Sequence, residues 1–282
     1  MARQESKFQW LLSSLRSYLI FDPLVFVYTG ILGSLSLLSS LFDPSGRVQH
    51  AFARLWAWMI LKSCFARVST TGLERIDTSK PHLYAANHIS AIDIPVLYTE
   101  LPFQFRIIAK QELFRYPFLG WHLRRSRQIP VDSTSAASSM RSLNRAAETL
   151  RGGMPMVVFP EGGRSENGQV QPFLPGAFYV AIKTQVEIIP IAIVGTFEML
   201  PIDSFHIRPR RLKMLVGDPI PTSGYTTRDM DKLAAIVQKA VEDLYYAHAE
   251  VTDPRGPAAV TPASLWPFHR GWAKTVWVSS CM

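Results

Sequence analysis

The chain has 282 residues, 48% hydrophobic and 18% charged; this excludes a disordered or fibrous protein and favours one domain with appendages over two full domains. Lys and Arg exceed Asp and Glu by 30 to 22, a net charge of +8. The partners are therefore anionic, and lipid or phosphorylated substrates fit better than nucleic acid, because no zinc-finger spacing, basic zipper or arginine-rich aromatic stripe is present. Two cysteines, Cys64 and Cys281, supply neither a disulfide framework nor a metal-ligand pair, and fit a reduced compartment.

From Leu24 to Phe42 no residue is charged, and Asp22-Pro23 and Asp43-Pro44 mark the two ends. The stretch is near the minimum length of a transmembrane helix, is diluted by glycine and serine, and starts too late for a signal peptide. A second apolar stretch, Ala51 to Ala66, carries Trp56, Trp58 and Phe65 beside Arg54 and Lys62. That mixture suits a helix at headgroup level; the competing reading is a core helix. A single span would put Arg3, Lys7 and Arg16 across the membrane from a cytoplasmic remainder, against the positive-inside rule. The expectation is a monotopic hairpin from about residue 8 to about residue 66, inside an N-terminal segment 1–68.

After Ser69 short apolar runs alternate with helical stretches. Candidate strands are His82–Ala86, Phe105–Ala109, Gln128–Val131, Met156–Phe159, Glu187–Val194 and Leu212–Val216, nearly continuous in hydrophobicity, as strands covered on both faces are. A helix is expected from Ile89. Another runs from about Ser135 to Arg151, with Met140, Leu143, Ala147 and Leu150 as its apolar stripe and Gly152-Gly153 as its stop. A third runs from about Arg228 to His248, with Leu233, Ile236, Val237, Ala240 and Leu244 inward. Strand–helix alternation over 69–250 predicts an α/β fold. Residues 251–282, rich in proline, read as a loosely ordered extension.

Two segments carry chemistry. In Asn87-His88-Ile89-Ser90-Ala91-Ile92-Asp93, the histidine ends a predicted strand, where α/β sheets place ligands. Asp93 can fold back to one imidazole nitrogen, fix the tautomer and leave the other nitrogen free to take a proton from a hydroxyl. Alone, such a pair is more often a satisfied structural histidine. In Phe159-Pro160-Glu161-Gly162-Gly163-Arg164-Ser165, the glycines let the backbone approach a ligand, Arg164 offers a fork to phosphate, and Glu161 either binds an acceptor hydroxyl or holds Arg164. Alone, it reads better as a surface turn with a salt bridge. No Gly-x-Ser-x-Gly elbow, His-Glu-x-x-His zinc site, phosphate loop or dinucleotide fingerprint is present. A histidine base without a protein nucleophile points to direct attack by a substrate hydroxyl.

Taken together and in order, these segments resemble the glycerolipid acyltransferases, which include the membrane 1-acyl-glycerol-3-phosphate acyltransferases. Lys110-Gln111-Glu112-Leu113, Ile129-Pro130-Val131-Asp132, Pro172-Phe173 with Gly176-Ala177-Phe178, and Val186–Pro190 resemble the pieces between and after, so that the likeness covers about Tyr84 to Thr196. It implies the family's mixed sheet flanked by helices behind a membrane-associated anchor. It also implies a mechanism: His88, oriented by Asp93, deprotonates an acceptor hydroxyl that attacks the thioester of acyl-CoA or acyl carrier protein. Glu161, Gly162, Gly163, Arg164 and Lys110 would bind substrate. The partners implied are a lysophospholipid, an acyl thioester and membrane lipid, with no cofactor or metal and no nucleic acid. The implied location is the cytoplasmic face of a membrane, the inner one in a bacterium.

The chain departs from the family pattern at Gly163, usually threonine, at Ser133, usually arginine, at Gln128, usually glycine, and at Leu174-Pro175, where a lysine is common. Two cationic contacts for an acceptor phosphate are thus missing from their usual places, with Arg124, Arg125 or Arg127 as the candidates to substitute. The expected product is phosphatidic acid; the alternative is acyl transfer to a different lysolipid or an amino-acid lipid. A non-enzymatic membrane-binding protein is the third reading, against which the intact His88 and Asp93 stand.

Overall fold

A computed structural model describes residues 7–43, 45–132 and 134–255. The chain begins with α1 (Lys7–Arg16), a π-helical turn (Ser17–Phe21) and α2 (Asp22–Ser39), which run on as one helix. After a loop, α3 (Arg47–Ser63) packs back against α2. There follow β1 (Arg67–Thr71), β2 (Leu83–Ala86), α4 (Asp93–Glu100), β3 (Arg106–Lys110), α5 (Leu119–Arg125), β4 (Ile129–Val131) and α6 (Ala136–Arg151). The last elements are β5 (Met156–Val158), α7 (Tyr179–Thr184), β6 (Ile188–Val194), α8 (Thr196–Met199), β7 (Arg211–Val216) and α9 (Met230–Tyr246).

The strands form one sheet in the order β1-β7-β6-β2-β5-β3-β4. Neighbours are parallel except β6 and β7, which are antiparallel, so the sheet is mixed. Both faces are covered, which explains the unbroken apolar run of β6, buried at every residue. Ile189, Ile191 and Ile193 face a core shared with α3 and α4, while Ile188, Ala192 and Val194 face α6, α7 and α9.

All six expected strands are present, to within a residue or two. The seventh, β1, was not anticipated: Arg67-Val68-Ser69-Thr70-Thr71 is a polar edge strand with alternating exposure, and it crosses the expected boundary at 68/69. The helix after His88 starts at Asp93, not Ile89, because residues 89–92 wrap the Asp93 carboxylate instead. Ser135 caps α6 through a reciprocal bond with Ser138. Two expected inward residues, Met140 on α6 and Ile236 on α9, are exposed; Ala146 on the first and Ala234, Val241 and Tyr245 on the second lie inside.

The N-terminal helix is longer than the uncharged stretch that announced it: Lys7–Ser39 is long and apolar enough to cross a membrane, and 28% of its most apolar window is buried in the protein. Three of its serines face the domain. Ser17 Oγ donates to Phe205 O (2.9 Å), Ser13 Oγ meets His206 Nε2 (2.8 Å) and Ser36 Oγ meets His122 Nδ1 (3.2 Å). Leu19 and Leu38 on the helix, and Leu41 and Phe42 just past its end, are exposed. Helix α3 packs as the core reading of it expects. Ala53, Ala57, Ile60 and Leu61 join the core, and Leu55 and Trp58 stay exposed. Most of the 251–282 extension and Ser133 lie outside the described residues.

Candidate active site

Neighbouring strands β2 and β5 end on the same edge of the sheet, and the two chemistry-bearing segments leave from those ends. Asn87 comes first and extends the β2–β6 pairing with its side chain. Its amide donates to Ile193 O (3.0 Å) and accepts from Ile193 N (2.7 Å). A carboxamide is suited to this because it carries both a donor and an acceptor.

Asp93 is fully buried at the N-terminus of α4. Its Oδ2 accepts from His88 Nδ1 (3.0 Å) and from the main-chain N–H groups of Ile89 (2.7 Å) and Ser90 (2.8 Å). Its Oδ1 accepts from Thr196 Oγ1 (2.6 Å). These donors and the helix N-terminus offset the desolvation of the carboxylate. Ser90 secures the turn by donating from Oγ to Leu200 O (2.6 Å). The His88 ring is stacked on Phe159 with centroids 4.1 Å apart and planes 23° from parallel. With Nδ1 bonded to Asp93, its Nε2 makes no hydrogen bond among the described residues and presents a lone pair for a proton.

The second segment is tied to the first by main chain. His88 N donates to Glu161 Oε1 (2.6 Å), and Ser165 N donates to His88 O (3.0 Å). Glu161 Oε2 accepts from Gln171 N (3.0 Å), so its carboxylate braces the backbone at His88 and at Gln171. Burial pushes Glu161 up to about 8, against the pull of the two N–H donors. Glu161 forms no ion pair with Arg164 within 4.0 Å, so of its two expected roles the holding of Arg164 is not the one seen. Arg164 is half-buried, and its Nε is buried with no hydrogen-bond partner among the described residues.

The adjoining glycines differ. Gly162 has φ +70°, and a Cβ there would lie 2.8 Å from Leu174 Cδ1, whereas a Cβ at Gly163 meets nothing within 4 Å. Position 163 therefore has room for the family's threonine, while 162 needs glycine. Leu174, where a lysine is common, is exposed beside this turn. Lys110 ends β3 on the same edge of the sheet, exposed.

His88, Asp93 and Glu161 are thus brought into one bonded cluster, with Arg164 on the same loop and Lys110 two strands from β2. Thr196, Gln171 and Phe159 belong to the cluster but were not singled out from the sequence. Phe159 opens the Glu161 segment, and Asn87 and Ser90 lie inside the His88 segment. Thr196 stands 103 residues from Asp93, and a lone threonine after a buried strand carries no local signal.

Comparison with known proteins converges on one family. A family model described as "Acyltransferase" matches residues 67–194. The chain is 37% identical to the chloroplastic 1-acyl-sn-glycerol-3-phosphate acyltransferase LPAT1 of Arabidopsis thaliana, over 64% of this chain and 51% of that one. It is 31% identical to a 1-acyl-sn-glycerol-3-phosphate acyltransferase of Chlamydomonas reinhardtii, over 80% of this chain and 66% of that one. The chain thus spans about half to two thirds of the length of these curated relatives. A solved structure, the 1-acyl-sn-glycerophosphate (LPA) acyltransferase PlsC of Thermotoga maritima, superposes with a TM-score of 0.65 at 26% identity, covering 84% of this chain and 97% of that one.

Proposed function

Because the chain belongs to the acyltransferase family, we propose that it transfers a fatty acyl group from an acyl thioester to the free hydroxyl of 1-acyl-glycerol-3-phosphate, making phosphatidic acid. The observation that carries this is the oriented imidazole: Nδ1 bonded to the buried Asp93 and Nε2 left open at the sheet edge.

In this reading His88 Nε2 takes the proton of the acceptor hydroxyl as the oxygen attacks the thioester carbonyl. The resulting imidazolium is stabilised by Asp93. The tetrahedral oxyanion requires donors. Gly162 N–H is already bonded to Phe159 O (3.1 Å), so we assign the oxyanion to the amides of Gly163 and Arg164. Collapse expels the thiolate, and the proton on His88 balances the free thiol. Glu161 acts as a positioning residue for His88, and Arg164 and Lys110 receive the acceptor phosphate. Neither a metal nor a cofactor is needed for these steps.

The acceptor and the acyl chain are both lipid. We place the enzyme on the cytoplasmic face of a membrane, held by the exposed apolar side of α1–α2, so that the acyl chain need not cross water. The donor carrier is CoA or acyl carrier protein. Leu174 favours a second reading, transfer to a neutral lysolipid or an amino-acid lipid, because an exposed leucine beside Gly162 replaces a cation.

The deciding experiment measures thiol release from palmitoyl-CoA by the purified enzyme in lipid micelles, with and without lysophosphatidate. Release that depends on lysophosphatidate, with phosphatidate formed, is the expected result. Release with a neutral lysolipid but none with lysophosphatidate would transfer the assignment to the second reading.

A further inference from the structure

On the sheet edge opposite His88, where β3, β4 and β5 begin, lies a cavity of about 630 Å³ lined by Arg47, Arg106, Arg124, Arg127 and Arg145. No Asp or Glu lines it. Arg106 is only 2% exposed, and its guanidinium donates to two main-chain carbonyls, Ser45 O (2.8 Å) and Phe105 O (3.3 Å). None of the five arginines has a carboxylate within 4.0 Å among the described residues. Asp43, the carboxylate that acts on Arg106 through space, is bonded to Ser45 and to the N-terminus of α3. A buried guanidinium surrounded by like charge is costly unless an anion joins it. The wall is also built to hold its shape. Gly46, at φ +74°, lets the hairpin loop lie against Arg106, and Arg127 is itself held at φ +57°. Gln104, also in the wall, has a buried Nε2 with no hydrogen-bond partner.

An apolar groove adjoins the cavity. Leu37, Leu38, Leu41 and Trp121 line it, and it shares Arg124 with the arginine cluster. Leu38, Leu41 and Trp121 are exposed and continue the apolar side of α2. A small hydrophilic anion has no use for such a groove. A molecule with a phosphate at one end and an alkyl chain at the other fills both halves.

We propose that this cavity and groove form a site for an anionic glycerophospholipid, its phosphate among the five arginines and an acyl chain along the end of α2, separate from the acyl-transfer site. The site does not depend on the reaction proposed above. It gives the hairpin a specific lipid contact at the turn between α2 and α3, beyond non-specific attraction to a charged leaflet.

The test uses the full chain in neutral-detergent micelles, with retained lipid counted by native mass spectrometry. Dioleoyl phosphatidylglycerol is compared with dioleoyl phosphatidylcholine, and no acyl donor or acceptor is present, so the result is independent of the enzyme reading. Arg47, Arg127 and Arg145 are exposed and make no side-chain hydrogen bond among the described residues, so changing all three to Gln should leave the melting temperature unaltered. That variant should bind phosphatidylglycerol about tenfold or more weakly, while a variant with Arg67, Lys213 and Arg228 changed to Gln, equal in charge, should shift by less than about threefold. Equal losses in the two variants would overturn the site in favour of bulk charge. Displacement of the lipid by inorganic phosphate or by free CoA would overturn it in favour of a soluble anion. Equal retention of phosphatidylcholine would remove the role of the headgroup.

Discussion

Thr196 turns the His88–Asp93 pair into a fixed device: it holds Asp93 Oδ1 while two backbone amides and the imidazole hold Oδ2. Replacing His88 by Ala removes one bond to Asp93 and leaves the other three, so the fold should survive, while loss of the general base should lower kcat by about 10²–10⁴. Initial rates and a melting curve on the same preparation check both halves; a loss below tenfold would point to another base. Thr196→Val keeps the shape and strips a fully buried carboxylate oxygen of its donor. It should cost about 1–3 kcal/mol of stability and a smaller part of kcat, with KM unchanged and recovery in Thr196→Ser. A Thr196→Val enzyme with wild-type kcat would sink the positioning role. Glu161 adds a pH dependence. Its ordinary value is 4.5, and burial raises it to about 8 in the folded chain. Between those values the unfolded chain has lost a proton that the folded chain keeps, so stability falls as pH rises through that window and levels off above it. The melting temperature of the wild type should therefore decline relative to Glu161→Gln from about pH 5 to about pH 8; parallel curves would contradict the burial argument.

At the scale of elements, what was legible is what local pattern controls. The strands covered on both faces announced themselves as apolar runs, and α6 carried its own start and stop in Ser135 and Gly152-Gly153. β1 was hidden because an edge strand facing solvent has no apolar run, and α4 was placed too early because the Asp93 carboxylate, not helix propensity, dictates residues 89–92. The site was legible where its members share a segment, as His88 does with Asp93 and Glu161 with Arg164. It was not legible where the fold brings in a distant hydroxyl such as Thr196, or where Glu161 braces backbone instead of meeting Arg164. The loop after β5 also carries a prediction about the acceptor. Leu174 is exposed beside Gly162, so Leu174→Lys should fold normally and place a cation near the turn that holds Arg164. An exposed ion pair contributes 0.2–1 kcal/mol, so KM for lysophosphatidate should fall by up to about fivefold while KM for a neutral lysolipid stays fixed. An equal change for both acceptors would mean that the phosphate does not lie near residue 174.

For the whole molecule, the question is how a helix long enough to span a bilayer sits beside a domain that it also helps to build. Its polar contacts lie far apart, with Ser13 on His206 and Ser36 on His122. From residue 13 to residue 36 is roughly 35 Å of helix, more than the hydrocarbon core of a bilayer. A helix crossing the membrane would have to release one of these attachments and expose its serines to lipid, along with the core contacts of Phe21 and Val25. We propose that it lies along the domain, keeping every attachment and turning its exposed apolar side, from Phe8 to Leu38, toward the acyl chains. In that arrangement the start of α1 is on the same side of the membrane as the catalytic domain. An epitope tag fused at residue 1, in membrane vesicles whose cytoplasmic side faces outward, should therefore be removed by added protease before detergent is present, at the same rate as a tag fused at the C-terminus. Protection of the N-terminal tag alone would mean that α1–α2 spans the bilayer and that its serine contacts with His206 and His122 do not persist together in the membrane.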